Sequence, residues 1–123
     1  MIPKFRAYLK ERPYLKGTGI IVDVQEINYK YEEIVYENGK YMEVADFKDI
    51  ILLQSTGFKD KNGVEIFEGD IVKDCHDFNF EVVSSTAGTW NIVNGKDSKI
   101  LALWAFEVEI IGNKHEHPHL LEE

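Results

Sequence analysis

The chain has 123 residues, of which 44% are hydrophobic and 29% charged, a balance that excludes a disordered chain and predicts one globular domain over residues 1–123. A formal net charge of −8 disfavours general binding to nucleic-acid phosphates. No apolar run approaches the roughly 18 residues of a membrane span, and the opening residues lack the apolar core of a signal peptide. The single cysteine, Cys75, excludes an internal disulfide, so we expect a cytoplasmic protein.

Positive charge is concentrated at the start of the chain. Residues 1–16 contain five of the 14 basic residues against one acidic residue, Glu11, and the remainder is strongly acidic. The basic residues of this segment are Lys4, Arg6, Lys10, Arg12 and Lys16. The simplest interpretation is a solvated first strand and loop, because charge runs are usually solvated. The alternative is a contact with phosphate, or with an acidic patch on a neighbouring subunit.

The first half of the chain alternates strand patterns with turn signals. Residues 20–25 alternate apolar and polar side chains, which predicts a half-buried strand. A second strand is predicted over residues 29–36 and its return strand over residues 41–44. Between them, Asn38-Gly39 predicts a hairpin turn, because Asn and Gly both adopt positive φ readily.

The stretch from Ser55 to Lys73 alternates turn chemistry and strand chemistry most closely. It follows an apolar run over residues 50–53 that predicts a buried strand. Within it, glycine supplies an unusual φ, and aspartate bonds nearby backbone N–H groups. The predicted structural turn residues are Asn62, Gly63, Gly69 and Asp70.

Further short strands are predicted beyond residue 73. Residues 78–83 alternate, a turn is expected over residues 86–89, and Asn94-Gly95 marks another hairpin. Residues 99–105 fit either a strand or one or two helical turns. Residues 106–110 show the clearest half-buried strand pattern. Together these segments predict a mainly β fold, a small barrel or roll with short helical turns at most.

Residues with catalytic or metal-binding chemistry are few. Cys75 and His76 are adjacent, so in a strand their side chains face opposite ways, and a small buried cysteine is the expected environment. Three histidines alternate near the end: His115, His117 and His119. Histidine binds zinc and nickel, but Pro118 and the spacing favour a surface tail. We expect no catalytic residue, no metal site and no cofactor.

Four of the six tyrosines surround the first hairpin: Tyr29, Tyr31, Tyr36 and Tyr41. The simplest interpretation is that cross-strand tyrosine pairs stabilise the hairpin. Alternatively, together with Lys4 and Arg6, these residues form a partner-binding surface, because tyrosine is enriched in protein interfaces. Glutamates outnumber lysines among them by three to two, which favours a protein partner over nucleic acid.

Three ordered segments resemble the YopX family of phage and prophage proteins: residues 4–7 (Lys-Phe-Arg-Ala), residues 50–72 and residues 109–121. Residues 74–105 depart from the family pattern. The resemblance implies an SH3-like β-roll, an origin in phages or prophages of low-GC Gram-positive bacteria, and assembly into oligomers in some members. It implies no catalytic residues, since none are assigned in the family.

The leading hypothesis is a non-enzymatic phage accessory protein that forms a homo-oligomer and contacts a phage or host protein. Its basic start and acidic body would meet head to tail. One alternative is a nucleic-acid-binding β-barrel that uses residues 4–16. A weaker alternative is an acidic mimic of DNA directed at a host DNA-binding protein.

Overall fold

A computed structural model describes residues 4–85, 88–95 and 97–121. The chain is mainly β, with short helical turns, as predicted. Its Cα positions divide it into two compact units, Met1–Gln54 and Ser55–Glu123. Each unit contains its own cluster of buried apolar side chains.

The first unit consists of an antiparallel sheet. Its strands are β1 (Phe5–Leu9), β2 (Ile21–Asn28), β3 (Glu33–Asn38), β4 (Tyr41–Asp46) and the first half of β5 (Ile50–Lys59). Their order is β4-β3-β2-β1-β5, and a 3₁₀ turn, Phe47–Asp49, joins β4 to β5. One cluster of buried side chains in this unit comprises Ala7, Leu9, Ile34, Tyr36 and Ile50.

The predicted alternation in β2 is confirmed, because Val22 and Val24 pack against the core while Asp23 is exposed. The strand predicted to begin at Tyr29 begins instead at Glu33. Residues 29–32 form a turn in which Glu32 has a φ of +51°. A residue in this left-handed region breaks the extended backbone, which explains the later start.

The second unit contains the second half of β5 and six further strands: β6 (Glu65–Phe67), β7 (Asp70–Lys73), β8 (Asn79–Ser84), β9 (Trp90–Asn94), β10 (Asp97–Ile100) and β11 (Glu109–Asn113). Five of them form an antiparallel sheet in the order β10-β9-β8-β7-β11, while β6 pairs with β5. A single helical turn, α1 (Leu101–Trp104), follows β10. One cluster of buried core residues in this unit comprises Ile66, Val72, Phe80, Val82, Ile92, Leu101, Ala105 and Val108.

The segment that follows β10 differs from the prediction. Residues 99–105 contain both a strand end and a helical turn, but the strand predicted over residues 106–110 begins only at Glu109. Ala105–Glu107 form a 3₁₀ turn that leaves Phe106 exposed and Val108 buried. The alternation of apolar residues over 106–110 therefore arises from a turn followed by a strand. Periodicity alone does not distinguish this combination from one continuous strand.

The antiparallel sheets do not close into a barrel within the described residues, so the SH3-like barrel is not confirmed. Part of the turn predicted over residues 86–89 (Thr86 and Ala87) lies outside the described residues. Among the helices of the described ranges, none is both long and apolar enough to cross a membrane.

Candidate functional site

The first hairpin lies at the edge of the first unit's sheet, and we call residues 33–46 the edge hairpin. Asn38 pairs with Tyr41, which leaves Gly39 and Lys40 as a two-residue turn. Gly39 has a φ of +62°, whereas Asn38 and Lys40 do not have positive φ. The predicted hairpin is confirmed, but its turn is one residue later than predicted. Glycine at the first central position suits a type II′ turn, so asparagine stays in the strand.

Tyr36 links the two strands of the edge hairpin. It lies opposite Glu43, and its hydroxyl donates a hydrogen bond of 2.8 Å to the Glu43 Oε2 atom. Burial, the hydrogen bond and the charge of Glu43 together raise the pKa of Tyr36 to about 12. Tyr36 is therefore a neutral structural donor, which separates it from the other tyrosines predicted to bind a partner.

The remaining predicted tyrosines are exposed and do not pair with one another across strands. Tyr29 contacts the Phe47 ring edge-on at 6.0 Å between ring centroids, and Tyr31 lies beneath the Lys30 ammonium at 5.5 Å. Tyr41 is 73% exposed. The expectation that tyrosine pairs stabilise the hairpin is wrong, because the register places Glu43 and Asn38 opposite the tyrosines.

Strand β4 exposes apolar side chains on both of its faces. Met42 and Val44 are 58% and 56% exposed, and they alternate with the exposed Tyr41 on the opposite face. Among the strands of the described residues, β4 has only β3 beside it, because it is the last strand in the order. An edge strand leaves one row of backbone N–H and C=O groups without a neighbouring strand. The alternation of side chains does not mark this surface in the sequence, because both faces of β4 combine an exposed apolar residue with an acidic one.

The basic residues at the start of the chain are mostly engaged within the first unit. The Arg6 Nε atom lies 3.2 Å from the Asp23 carboxylate, and Arg12 forms an ion pair with Asp49. The Lys10 ammonium donates to the backbone carbonyl of Lys48 at 2.9 Å. These contacts neutralise part of the positive charge that a phosphate backbone would need.

A cleft of about 470 Å³ lies between the β1–β2 loop and the edge hairpin. The loop is fixed because the Thr18 hydroxyl accepts from the Arg12 N–H and donates to the Leu15 carbonyl. Its charged lining residues are Lys10, Arg12 and Lys16 on the loop, and Glu43, Asp46 and Asp49 opposite. Because cations and anions balance, the cleft suits dipolar groups rather than a polyanion.

The turns of the Ser55–Lys73 stretch are held by buried aspartates. Asp60 Oδ1 accepts the N–H groups of Asn62 and Val64 at 2.9 Å, and Oδ2 accepts the N–H of Ile110 at 3.0 Å. Gly63 closes this turn with a φ of +79°. One carboxylate therefore fixes a local turn and joins it to β11, and the structural role predicted for Asn62 and Gly63 is supported.

Asp70 repeats this arrangement at the next turn. Its Oδ2 atom accepts the Phe67 N–H at 2.8 Å, and its Oδ1 atom accepts from the Asn113 side-chain amide at 3.2 Å. Gly69 precedes it with a φ of +84°. We call these two Asp-centred arrangements, residues 60–63 and 67–70 with their β11 partners, the signature turns.

Cys75 and His76 lie in an exposed turn rather than in a strand. Asp74 Oδ1 accepts the N–H groups of His76 and Phe78, which curls the chain and turns both side chains outward. The expected burial of Cys75 is therefore wrong, because the thiol is exposed. Near this turn the Lys99 ammonium lies 4.4 Å from the Trp104 ring centroid.

The three C-terminal histidines are only partly on the surface. His117 Nδ1 accepts the Asn113 N–H at 3.2 Å, and its ring meets His119 edge-on. Burial and the neighbouring Lys114 ammonium lower the pKa of His115, opposed by Glu81 and Glu68. Within the described ranges, no group of three or more metal-ligating side chains is placed to hold an ion.

Comparison with known proteins defines the class of the chain. The family model described as YopX protein matches residues 4–122, so the chain belongs to the YopX family. It is also similar to a solved structure, the crystal structure of protein EF1440 from Enterococcus faecalis, with 27% sequence identity and a TM-score of 0.52. That match covers 99% of each chain. No curated protein sequence matches the chain.

Proposed function

We propose that this YopX-family protein is a non-enzymatic accessory protein of a phage or prophage that acts in the host cytoplasm through protein–protein contacts and self-association. The observation that carries the proposal is the exposed apolar edge strand β4. Tyr41, Met42 and Val44 lie together on a strand whose outer edge is free of neighbouring strands within the described residues. Such edges pair readily with another chain.

The buried polar side chains support a non-enzymatic role. Asp60 and Asp70 accept hydrogen bonds from backbone N–H groups and from Asn113, so their carboxylates maintain turns. Cys75 and His76 lie in an exposed turn rather than in a cleft. A nucleophile and base require an enclosing site that brings them within hydrogen-bond reach.

Nucleic acid is the weaker candidate partner. Arg6 and Arg12 already face carboxylates, and the cleft beside them carries both signs of charge. Affinity for a phosphate backbone depends on unpaired Lys and Arg that displace counterions. We therefore retain protein contacts as the proposal.

Self-association is tested by the solution mass. We expect light scattering over a concentration series to give a mass above that of the 14.2 kDa chain, increasing with concentration. Val44→Lys should lower it, because a charge in the centre of β4 opposes pairing.

The matched control is Val64→Lys. Val64 is similarly exposed, at 48%, but lies outside β4 in the second unit. It should leave the mass unchanged. A wild-type monomer at every concentration, or equal losses in the two variants, would contradict the proposal.

A further inference from the structure

The geometry points to a specific partner for the edge hairpin: β4 of a second copy, paired antiparallel about a two-fold axis at Glu43. This inference rests on the proposed self-association and specifies its register. In that register Lys40 of one copy lies opposite Asp46 of the other, twice per dimer.

The backbone of β4 determines which residues can bond a second copy. In a hairpin closed by a two-residue turn, the flanking residues Asn38 and Tyr41 exchange backbone hydrogen bonds. Along the strands from that point, hydrogen-bonded residue pairs alternate with pairs that are not hydrogen-bonded. The backbone groups of Tyr41, Glu43 and Ala45 therefore face β3. Those of Met42 and Val44 face outward, available to another strand.

The side chains of the hairpin limit the registers. A two-fold axis perpendicular to the sheet keeps each residue on its own face, so the axis must pass through a residue pair. An axis at Glu43 places Met42 opposite Val44 of the second copy, an apolar pair that forms twice. An axis at Met42 would place Lys40 opposite Val44 of the second copy. An axis at Val44 would place Met42 opposite Asp46 of the second copy.

Charge complementarity selects the Glu43 register. It brings Lys40 and Asp46 directly opposite each other, whereas the other registers separate them. Asp46 is exposed, and although it precedes a 3₁₀ turn its side chain makes no capping hydrogen bond. Its carboxylate is therefore available for an ion pair across the strands.

The register has one unfavourable contact, Glu43 against Glu43 of the second copy. Like charges that lie directly opposite destabilise a strand pair. Each Glu43 carboxylate is held by the Tyr36 hydroxyl at 2.8 Å, which directs it toward its own sheet. Removing the charge by Glu43→Gln should therefore tighten the dimer a few-fold.

Strand β10, at one of the two edges of the second unit's five-stranded sheet, provides a contrast. Its sequence, Asp97-Ser98-Lys99-Ile100, places two charges on a four-residue strand. Short charged edges resist pairing. Pairing through only about six residues is at the small end of protein interfaces, so we expect a dimer that depends on concentration.

Disulfide trapping tests the register directly. In a Cys75→Ser background, Glu43→Cys should form a disulfide-linked dimer on mild oxidation, because residue 43 of one copy lies opposite residue 43 of the other. Met42→Cys and Val44→Cys should link poorly alone and well when combined. Glu37→Cys, exposed on β3, is the matched control and should not link.

A charge exchange tests the ion pairs while keeping Glu43 in place. Lys40→Asp and Asp46→Lys should each weaken dimerisation roughly tenfold, because two attractions become two repulsions. The double variant should recover most of the loss.

The outcomes separate the register from the proposed function. Trapping at residue 43 with recovery in the double variant supports the register. A dimer that traps at residue 42 or 44 alone, or that shows no recovery, overturns the register and leaves self-association standing. A monomer at every concentration overturns both.

Discussion

The signature turns and the edge hairpin use their side chains in opposite ways. In the signature turns, Asp60 and Asp70 are buried and their carboxylates face backbone and amide donors. In the edge hairpin, Met42 and Val44 are apolar yet exposed. Polar residues inside maintain the fold, and apolar residues outside offer contacts. The residues that identify the family are therefore not those that form the candidate interaction surface.

The largest expected effect tests the signature turns. Asp60→Ala removes the acceptor of three backbone N–H groups, and Asp60 is only 6% exposed. Buried donors left without a partner destabilise a fold, so we expect the free energy of unfolding to fall by about 3 kcal/mol. Urea unfolding followed by circular dichroism measures this change.

Glu107→Ala is the control for Asp60→Ala. It removes the same charge from an exposed position in the second unit and should change stability by less than about 0.5 kcal/mol. Equal unfolding midpoints for the two variants would mean that the Asp60 carboxylate does not stabilise its turn.

An intermediate effect is expected inside the edge hairpin. The pKa of Tyr36, raised to about 12, means that the unfolded chain loses this proton near pH 10 and the folded chain does not. The contribution of the neutral Tyr36 side chain to the free energy of unfolding is complete below about pH 10 and is lost as the pH rises to about 12. Tyr36→Phe should abolish this part of the alkaline loss of stability.

Ultraviolet absorbance of tyrosinate against pH provides the measurement. The wild type should show an increase in tyrosinate absorbance near pH 12 that Tyr36→Phe lacks. Tyr41→Phe, changed at an exposed position on the neighbouring strand, should retain this increase. If Tyr36→Phe still shows the absorbance increase near pH 12, that increase belongs to another tyrosine.

The smallest expected effect is at His115 in the second unit. Because burial lowers the pKa of His115, the unfolded chain binds the proton first as pH falls. The contribution of neutral His115 to the free energy of unfolding is present above about pH 6.5. It is lost as the pH falls through the lower pKa that His115 has in the folded state. His115→Gln should give a flatter stability profile as the pH falls below about 6.5.

Thermal unfolding at several pH values compares His115→Gln with His76→Gln, whose histidine is exposed. The pH profile should flatten in the first variant and stay near wild type in the second. Identical profiles for wild type and His115→Gln would show that other groups dominate this range.

Local turn chemistry was predictable from the sequence. Gly69-Asp70 and Asn62-Gly63 were placed correctly, because positive φ and side-chain-to-backbone hydrogen bonds depend on neighbouring residues. The hairpin at Gly39 was also found, although its turn was shifted by one residue. Asparagine and glycine both accept positive φ, and only the strand register decides between two turn positions.

Features that depend on distant residues were not predictable. The exposure of β4 follows from its place at the end of the strand order, which requires knowing every pairing in the sheet. The exposure of Cys75 follows from the Asp74 carboxylate turning the chain outward. Neither is encoded in a periodic pattern, and the cleft beside Arg12 likewise exists only once loop and hairpin meet.

The turn that carries Cys75 has a practical consequence. Its thiol is exposed, and Asp74 fixes the backbone around it through two hydrogen bonds. Since the chain has one cysteine, a spin label attached there marks each copy at a single, well-anchored point. Pulsed electron paramagnetic resonance on the labelled wild-type chain would then measure one distance between copies, without engineering any residue.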